Sequence, residues 1–333
     1  MAGLEFVPSK LLREDLTTMT GWTPQVALCL PGERRDALEI LYRRAPGSLR
    51  PRLVSNALAE ADRGQIDLSG LWVAKRRGGR VVGALLAQPL AGRAAAIWAP
   101  EVDASWGRTS TATSLVRTAL EDLRARGFIL AQALLDESAP PQGAADLAAG
   151  GMPHVTDLVY LERETKSSVP VKTGLPPIDW KAFGPETEAD FRAVLQETYE
   201  GSLDMPELED LRSLDDVLSS HRAGGRFRPE RWVVGRVHDE PRASAVLLLS
   251  DLQDRDAWEV AYLGLTPPAR RRGLGRAALA HAVIMARPHV SRIELAVDIR
   301  NFPAHQLYRR AGLTPFDHRA VHIATLGCDG EGE

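Results

Sequence analysis

Cysteine is nearly absent from this chain: two in 333 residues, Cys29 and Cys328, close to opposite ends. Such a pair is no disulfide framework, and the compartment to expect is a reducing cytoplasm. Long apolar runs are missing too. None approaches the ~18 residues of a membrane span, and the first residues carry no apolar leader, so neither insertion nor export is expected. Nor is there an excess of one charge. Lys and Arg number 41 against 44 Asp and Glu, a formal net charge of -3, which lacks the basic footprint of a nucleic-acid binder. What remains is an ordinary globular balance, 44% hydrophobic and 26% charged. A length near two domains of ~150 residues each can bury roughly three quarters of the unfolded surface without staples.

One stretch interrupts the apolar patterning. TKSSVPVKTGLPP, Thr165–Pro177, is rich in Pro, Ser, Thr and Gly and reads as a linker. The expected division is an N-terminal extension over 1–20, a first domain over 21–164, a linker over 165–176, a second domain over 177–327 and an acidic tail over 328–333. The two halves read alike. LWVAKRRGG, RVVGALLAQPL and RAAAIWAP are three short apolar runs in the first; RWVVGRVHDE, RASAVLLLSDL and AWEVAYLGLTP repeat their order in the second. Each trio precedes a helical segment, Thr113–Arg126 or Leu274–Arg287, then another strand, a short helix and a closing apolar run. Two helical stretches lead into each trio: Glu33–Arg44 and Val54–Asp62, then Glu188–Tyr199 and Glu207–Ser220. The pattern is a long-period duplication of one α/β unit.

Chemistry concentrates in EVAYLGLTPPARRRGLGR, Glu259–Arg276. A strand runs to Leu265, Pro267 and Pro268 stop it, and a glycine turn leads into a helix. Gly273 and Gly275 let the backbone come close to a ligand. The helix behind them offers unpaired N–H groups and the positive end of its dipole, a site suited to a pyrophosphate. Arg270, Arg271, Arg272 and Arg276 add charge. No Lys-Ser/Thr follows, so this is not a P-loop, and Arg271 stands where a dinucleotide fingerprint needs its first glycine. A second element, VDIRNFPAHQLYRRAG over Val297–Gly312, ends a strand and opens a short helix at Asn301, with Ala304, Leu307 and Tyr308 on one face.

Strand, RxxGxG, helix, strand, then NxxAxxLYxxxG resembles the GNAT superfamily of acetyl-CoA-dependent N-acetyltransferases, with the second half matching throughout. The resemblance implies two tandem α/β domains, each a mixed, mostly antiparallel central sheet flanked by helices, the first degenerate. It implies that acetyl-CoA lies in a cleft where two central strands splay, its pantetheine arm pairing with backbone near Leu263 and Leu265. Arg270 and the loop from Arg271 through Arg272, Gly273, Leu274, Gly275 and Arg276 fall on the family's pyrophosphate site, and Asn301 on its second signature. Tyr308 falls where an acid protonates the departing thiolate, and Glu259 where several relatives carry a base. Glu259 sits six residues before Leu265 on the same strand, and this even spacing places both on one face. The activity implied is acetyl transfer to a primary amine of a small molecule or peptide by direct attack on the thioester, without a metal. A non-catalytic acyl-CoA-binding module and transfer of a longer acyl group are the alternatives. No nucleic-acid or membrane partner is expected, and a tandem repeat can mimic a dimer within one monomer.

Laying Pro100 over Pro267 sets Asp103 at the place of Arg270, Trp106 at Gly273 and Arg108 at Gly275, so both glycines of the cradle are expected to be lost from the first half. The acidic run Asp204, Glu207, Glu209, Asp210, Asp215 and Asp216 is either a solvated helix face or a lure for a cationic amine. His318, His322 and Cys328 are too scattered for a metal site, and no GxSxG serine elbow occurs.

Overall fold

The computed structural model describes residues 25–103, 107–167, 175–252 and 255–327. The expected N-terminal extension, the acidic tail with Cys328, and residues 168–174 of the expected linker lie outside them. In the first half β1 (Gln25–Leu28) is followed by α1 (Arg34–Leu41), α2 (Arg50–Asp62), β2 (Leu71–Lys75), β3 (Val81–Leu90), β4 (Ala94–Ile97) and β5 (Glu101–Val102). Then come α3 (Arg108–Ala125), β6 (Leu130–Asp136), α4 (Pro141–Gly150) and β7 (His154–Glu164). The second half repeats the plan with β8 (Ile178–Ala182), α5 (Glu188–Tyr199), α6 (Leu214–Ala223), β9 (Trp232–Val237), β10 (Ala243–Leu252) and β11 (Ala257–Leu265). It closes with α7 (Leu274–Ala286), β12 (Arg292–Asp298), α8 (Phe302–Arg310) and β13 (Thr314–Thr325).

Each half has the α/β character read from its sequence, but the two sheets are not separate. One sheet runs β1-β2-β3-β4-β6-β13-β7-β12-β11-β10-β9-β8, with β5 beside β3 off that path. The closing strands have changed places. β6 of the first half pairs with β13, Leu130–Asp136 against Arg319–Thr325, while β12 of the second half pairs with β7, Asp298 against Leu158 through Arg292 against Glu164. The two exchanged strands pair with each other, antiparallel, at the centre. Each half thus completes the other's sheet, and the path keeps only β1 and β8 as edges. An open strand edge is a row of unpaired N–H and C=O groups, so the exchange removes two such rows.

Helices cover both faces. One carries α1 and α2 over Leu71, Val73 and Leu86, and α5 and α6 over Trp232, Val234, Val246 and Leu248. The other carries α3 and α4 over Trp72, Leu85 and Ile97, and α7 and α8 over Val233, Leu247, Leu249 and Trp258. The strands alternate between these layers with period two. Helix starts differ most from the sequence reading at α6. Ser213 accepts the Asp216 N–H at 3.2 Å, and Asp216 answers the Ser213 N–H at 3.3 Å. That capping box fixes the start at Leu214 rather than near Glu207.

The exchange makes the halves interdependent. Residues 177–327 expressed alone are expected to show no cooperative thermal transition by circular dichroism, because β12 and β13 both lose β7. A transition as sharp as that of the full chain would show that the second half folds without it.

Candidate active site

The parallel ladder between β11 and β12 is short. It joins Ala257, Trp258 and Glu259 to Arg292, Ile293 and Glu294, after which β11 continues to Leu265 and β12 to Asp298 without pairing. Between them a cleft opens. On its other side β11 stays bonded to β10, but with one residue too many: Leu249 faces Val260 and Leu248 faces Tyr262, leaving Ala261 as a bulge. The bulge reverses the alternation. Trp258 and Val260 pack with the α7 layer and so does Leu263, whereas Ala261 and Tyr262 pack with the α5 layer. Glu259 and Leu265 therefore do not share a face, as an unbroken strand would require. Glu259 lies on the α5 side, opposite Ser250, whose hydroxyl donates to its Oε2 at 3.3 Å. Burial pushes this carboxyl up from its ordinary range, and the adjacent Glu294 adds to the effect. It lines a cavity of about 230 Å³ with Tyr160, Arg255, Phe316 and Arg319, so the exchanged strands supply part of its wall.

Past the bulge, hydrogen bonding sets which backbone groups are free. Thr266 N–H donates to Ser244 O at 3.0 Å, so in the alternating antiparallel pattern Leu263 and Leu265 turn their N–H and C=O away from β10, into the cleft. Arg270 uses part of this edge. Its guanidinium donates to the carbonyls of Leu265 at 3.2 Å, Thr198 at 3.1 Å, Glu200 at 2.7 Å and Gly201 at 3.1 Å. The charge expected for a phosphate here ties the end of α5 to the end of β11. Arg272 is paired with Glu240.

The glycine turn has the conformation its composition suggests. Arg271 and Gly273 both adopt left-handed backbone, φ +63° and +84°, which turns successive N–H groups toward one concavity. Gly273 is the N-cap of α7. A Cβ on Gly275 would meet Leu307 Cδ2 at 3.2 Å, so α8 stands against the cradle. Asn301 serves that helix: its side-chain oxygen accepts the Ala304 N–H at 3.2 Å and caps it. Tyr308 projects from α8 into the layer of Leu263, Leu295 and Val297 and is 8% exposed. Burial raises its phenol above the ordinary tyrosine range, with Asp204 and Tyr262 near enough to add to the shift.

On the α5 side a cavity of about 370 Å³ opens onto the bulge, lined by Ala261, Tyr262, Tyr199, His221 and Arg212 among others. Tyr199 stacks on Tyr262 with centroids 5.1 Å apart, and the Tyr262 hydroxyl lies 2.9 Å from Thr198 Oγ1. The acidic run around it is mostly committed to internal bonds. Glu207 grips Arg300 at 2.6 and 2.9 Å, and Arg300 also holds the fully buried Asp298 at 2.7 Å. Asp204 accepts the Asp298 N–H at 2.8 Å, Glu209 the Gly201 N–H at 3.1 Å, and Asp215 pairs with Arg192 at 2.6 Å. Asp216 binds Arg93 of the first half at 2.6 Å. Around that pair, the Ser220 hydroxyl donates to Ala91 O at 3.0 Å, and a Cβ on Gly92 would strike Asp216 O. The β3–β4 turn of the first half thus braces α6, one wall of the cavity. No sequence signal paired Arg93 with Asp216, which are far apart in the chain.

The first half lacks the corresponding cradle, though not as the alignment on Pro100 expects. Gly107, not Trp106, caps α3 in left-handed backbone at φ +71°, as Gly273 caps α7, so one of the two glycines is kept. Trp106 itself lies outside the described residues. Thr109 then occupies the second glycine's place. Arg108 binds the buried Asp146 of α4 through two bonds of 2.9 and 2.6 Å, drawing α4 against the helix start. Counting from the helix starts, Leu147 of α4 stands where α8 has Tyr308. Among the described residues there is no group of three or more His, Cys, Asp or Glu placed to hold a metal ion, and no helix long and apolar enough to cross a membrane.

Residues 190–313 match the sequence model of the acetyltransferase (GNAT) family. A mycothiol acetyltransferase of Beutenbergia cavernae is 33% identical over 199 residues, which are 54% of this chain and 62% of that protein's length. A GCN5-related N-acetyltransferase from Sphaerobacter thermophilus superimposes with a TM-score of 0.59 at 18% identity, covering 91% of this chain and 95% of that one. A glucosamine N-acetyltransferase region of a fungal multi-domain beta-N-acetylglucosaminidase gives 0.58 at 17%, covering 90% and 38%. At these identities the structural likeness speaks for the fold.

The brace between the halves has a pH signature. The Arg93 guanidinium holds the Asp216 carboxyl down to about 2, so the pair stabilises the fold above the ordinary carboxylate range and is lost as pH falls toward 2. Arg93→Ala is expected to lower Tm at pH 5 to 7, with the gap to wild type closing below pH ~4. A gap unchanged down to pH ~2 would remove the ion pair as its cause.

Proposed function

On the premise that this chain belongs to the GNAT family through its second half and repeats that fold in tandem, we propose that it transfers an acetyl group from acetyl-CoA to a primary amine. The observation that carries this reading is the junction at the β11 bulge. There the Leu265 N–H and the backbone of Leu263 face away from β10, the left-handed turn at Arg271–Gly273 leads into the helix whose Gly275 lies against Leu265 and Leu307, and Tyr308 packs in the same layer as Leu263. The cleft fits the pantetheine and pyrophosphate of the cofactor. A turned loop of amides at a helix start suits the pyrophosphate, and a side chain at Gly275 would crowd Leu307. The amides of Arg271, Arg272, Gly273, Leu274, Gly275 and Arg276 would hold the diphosphate, with Arg271 and Arg276 for added charge, while Arg270 and Asn301 keep the loop and α8 in position. Acetyl-CoA supplies the acetyl group as a thioester.

This chain's own groups do the rest. The Leu265 N–H, pointing into the cleft, donates to the acyl oxygen as charge grows there; a donor of this kind is worth ~3–4 kcal/mol of barrier. Tyr308, kept protonated by burial, gives its proton to the departing sulfur. Glu259 stands on the face from which the acceptor comes. Its raised carboxyl takes the ammonium proton through water, since the bulge separates it from the end of the strand. The first half, with its helix start closed by Arg108 and Asp146, binds no cofactor and braces the acceptor side through Arg93. A role in binding alone would give the chain no use for a buried phenol and a raised carboxyl at one cleft.

Calorimetric titration with acetyl-CoA is expected to give one site per chain. Gly273→Glu should abolish it, because a side chain at that left-handed position strains the loop and adds negative charge beside the phosphates; normal binding by this variant would move the cofactor elsewhere. Tyr308→Phe should lower kcat by about 10²-fold or more while acetyl-CoA binding stays within a few-fold. Unchanged turnover would take the acid role from Tyr308.

A further inference from the structure

The cavity between α5, α6 and the β11 bulge contains an arginine, Arg212, without a carboxylate partner among the described residues. The other arginines that fasten this side are committed: Arg93 to Asp216, Arg192 to Asp215, Arg300 to Asp298 and Glu207, Arg270 to four carbonyls. Arg212 has no ion pair among the described residues. Its only hydrogen bond runs from Nη1 to Ser220 Oγ at 3.5 Å, the limit of such a contact, and its Nε is buried without a partner. An unanswered buried guanidinium N–H is costly; Arg34, Arg50 and Arg228 share that feature, but Arg212 is the one that lines this cavity, and a planar fork of donors is the side chain best matched to a carboxylate.

The rest of the cavity agrees. Arg212 lies beside His221 and Tyr199, since its charge acts on both. The Tyr199 hydroxyl sits 3.3 Å from His221 Nε2, and burial with the nearby Arg212 pushes His221 down to about 4, so the imidazole is neutral at working pH. Four acids also line the cavity: Glu200, Glu209 and Asp210 are exposed at its rim, Arg212 and the rings are only partly exposed, and the Asp204 carboxyl, which accepts the Asp298 N–H, is pushed up by burial. Charge is therefore arranged by depth, with three negative groups at the rim and, further in, Arg212 and the Asp204 carboxyl. Asp204 is also the acid whose charge reaches Tyr308. A volume of about 370 Å³ is of the size that holds a small organic molecule.

We propose that this cavity is the acceptor subsite and that it takes an amine bearing a carboxylate, the class of amino acids and short peptides, with the carboxylate on Arg212 and the ammonium toward Asp204 and the bulge. The assignment rests on the acetyl-transfer reading above and narrows its acceptor. A polyamine, which the acidic run by itself would favour, sets a cation against Arg212 and is disfavoured.

The test is release of free coenzyme A thiol from acetyl-CoA by the full chain, with α-amino acids and dipeptides each paired with its C-terminal amide, and spermidine alongside. The carboxylate member of a pair is expected to exceed its amide in kcat/KM by about tenfold or more, the worth of a charged hydrogen-bonded contact. Arg212→Gln should erase that preference through KM, and Arg212→Lys should restore part of it, while acetyl-CoA affinity and Tm stay as in wild type. Equal use of acid and amide by the wild type, preference for spermidine, or acetyl-CoA binding without turnover of any carboxylate-bearing amine would overturn the assignment. Absence of acetyl-CoA binding is a different result: it removes the acetyl-transfer reading, and this subsite with it.

Discussion

The reciprocal exchange of β7 and β13 is the constraint from which most of this molecule follows. A strand with unsatisfied backbone on both sides must find two partners, and each closing strand finds both in the opposite half: β7 pairs with β12 and β13, and β13 with β6 and β7. The halves are thereby locked in one sheet. Further contacts fasten the join: Thr156 of β7 donates to Asp298 at the end of β12 at 2.7 Å, and Glu162 pairs with Arg292 at 2.9 Å. A first half without a glycine cradle is therefore no idle duplicate. It supplies a strand to the other half's sheet, part of the wall around Glu259 and the brace behind α6.

Against this frame the candidate site is made by two local departures from regularity. The first is the early end of the β11–β12 ladder, which leaves backbone groups facing a gap instead of a strand. The second is the extra residue at Ala261. By reversing alternation, the bulge gives the α7 face of the strand to Leu263 and Leu265 and the α5 face to Glu259 and Tyr262. Groups suited to a cofactor and groups suited to an acceptor are so divided between two sides of one strand. Irregular backbone of this kind is a common means of aiming side chains at a site.

Charges on the α5 side of the sheet follow the cost of burial. A buried carboxylate needs donors, and Asp298 at zero exposure collects them from Thr156, Arg300 and the Met205 amide. The loop over 204–207 is held to β12 by this cluster. Most of the acids that look like a cation trap in the sequence are fastening points, whereas Arg212 among them has no ion pair among the described residues.

Much of this was legible in the amino-acid order. Apolar runs with turn residues at regular intervals marked the duplicated α/β unit, and the bounds of α5 agree with the reading residue for residue. The glycine turn and the Asn301 to Tyr308 spacing marked the site, because local backbone freedom and helical period are properties of neighbouring residues. The edge strands β1 and β8 went unread, being four or five residues long with little alternation. The bulge escaped as well: it exists only in the register between β10 and β11, and counting residues along one strand assumes none. Gly107 was missed by one position for a similar reason, since an alignment on Pro100 cannot see the separate strand β5. Sequence alone determined what each segment can form and which residues are candidates for chemistry. Tertiary structure decided which strand completes which sheet, that Arg270 binds carbonyls, and that Arg212 stands unpaired in a cavity. Those outcomes depend on partners far apart in the chain, and pairing at such distance is settled by the packing of the whole rather than by any local preference.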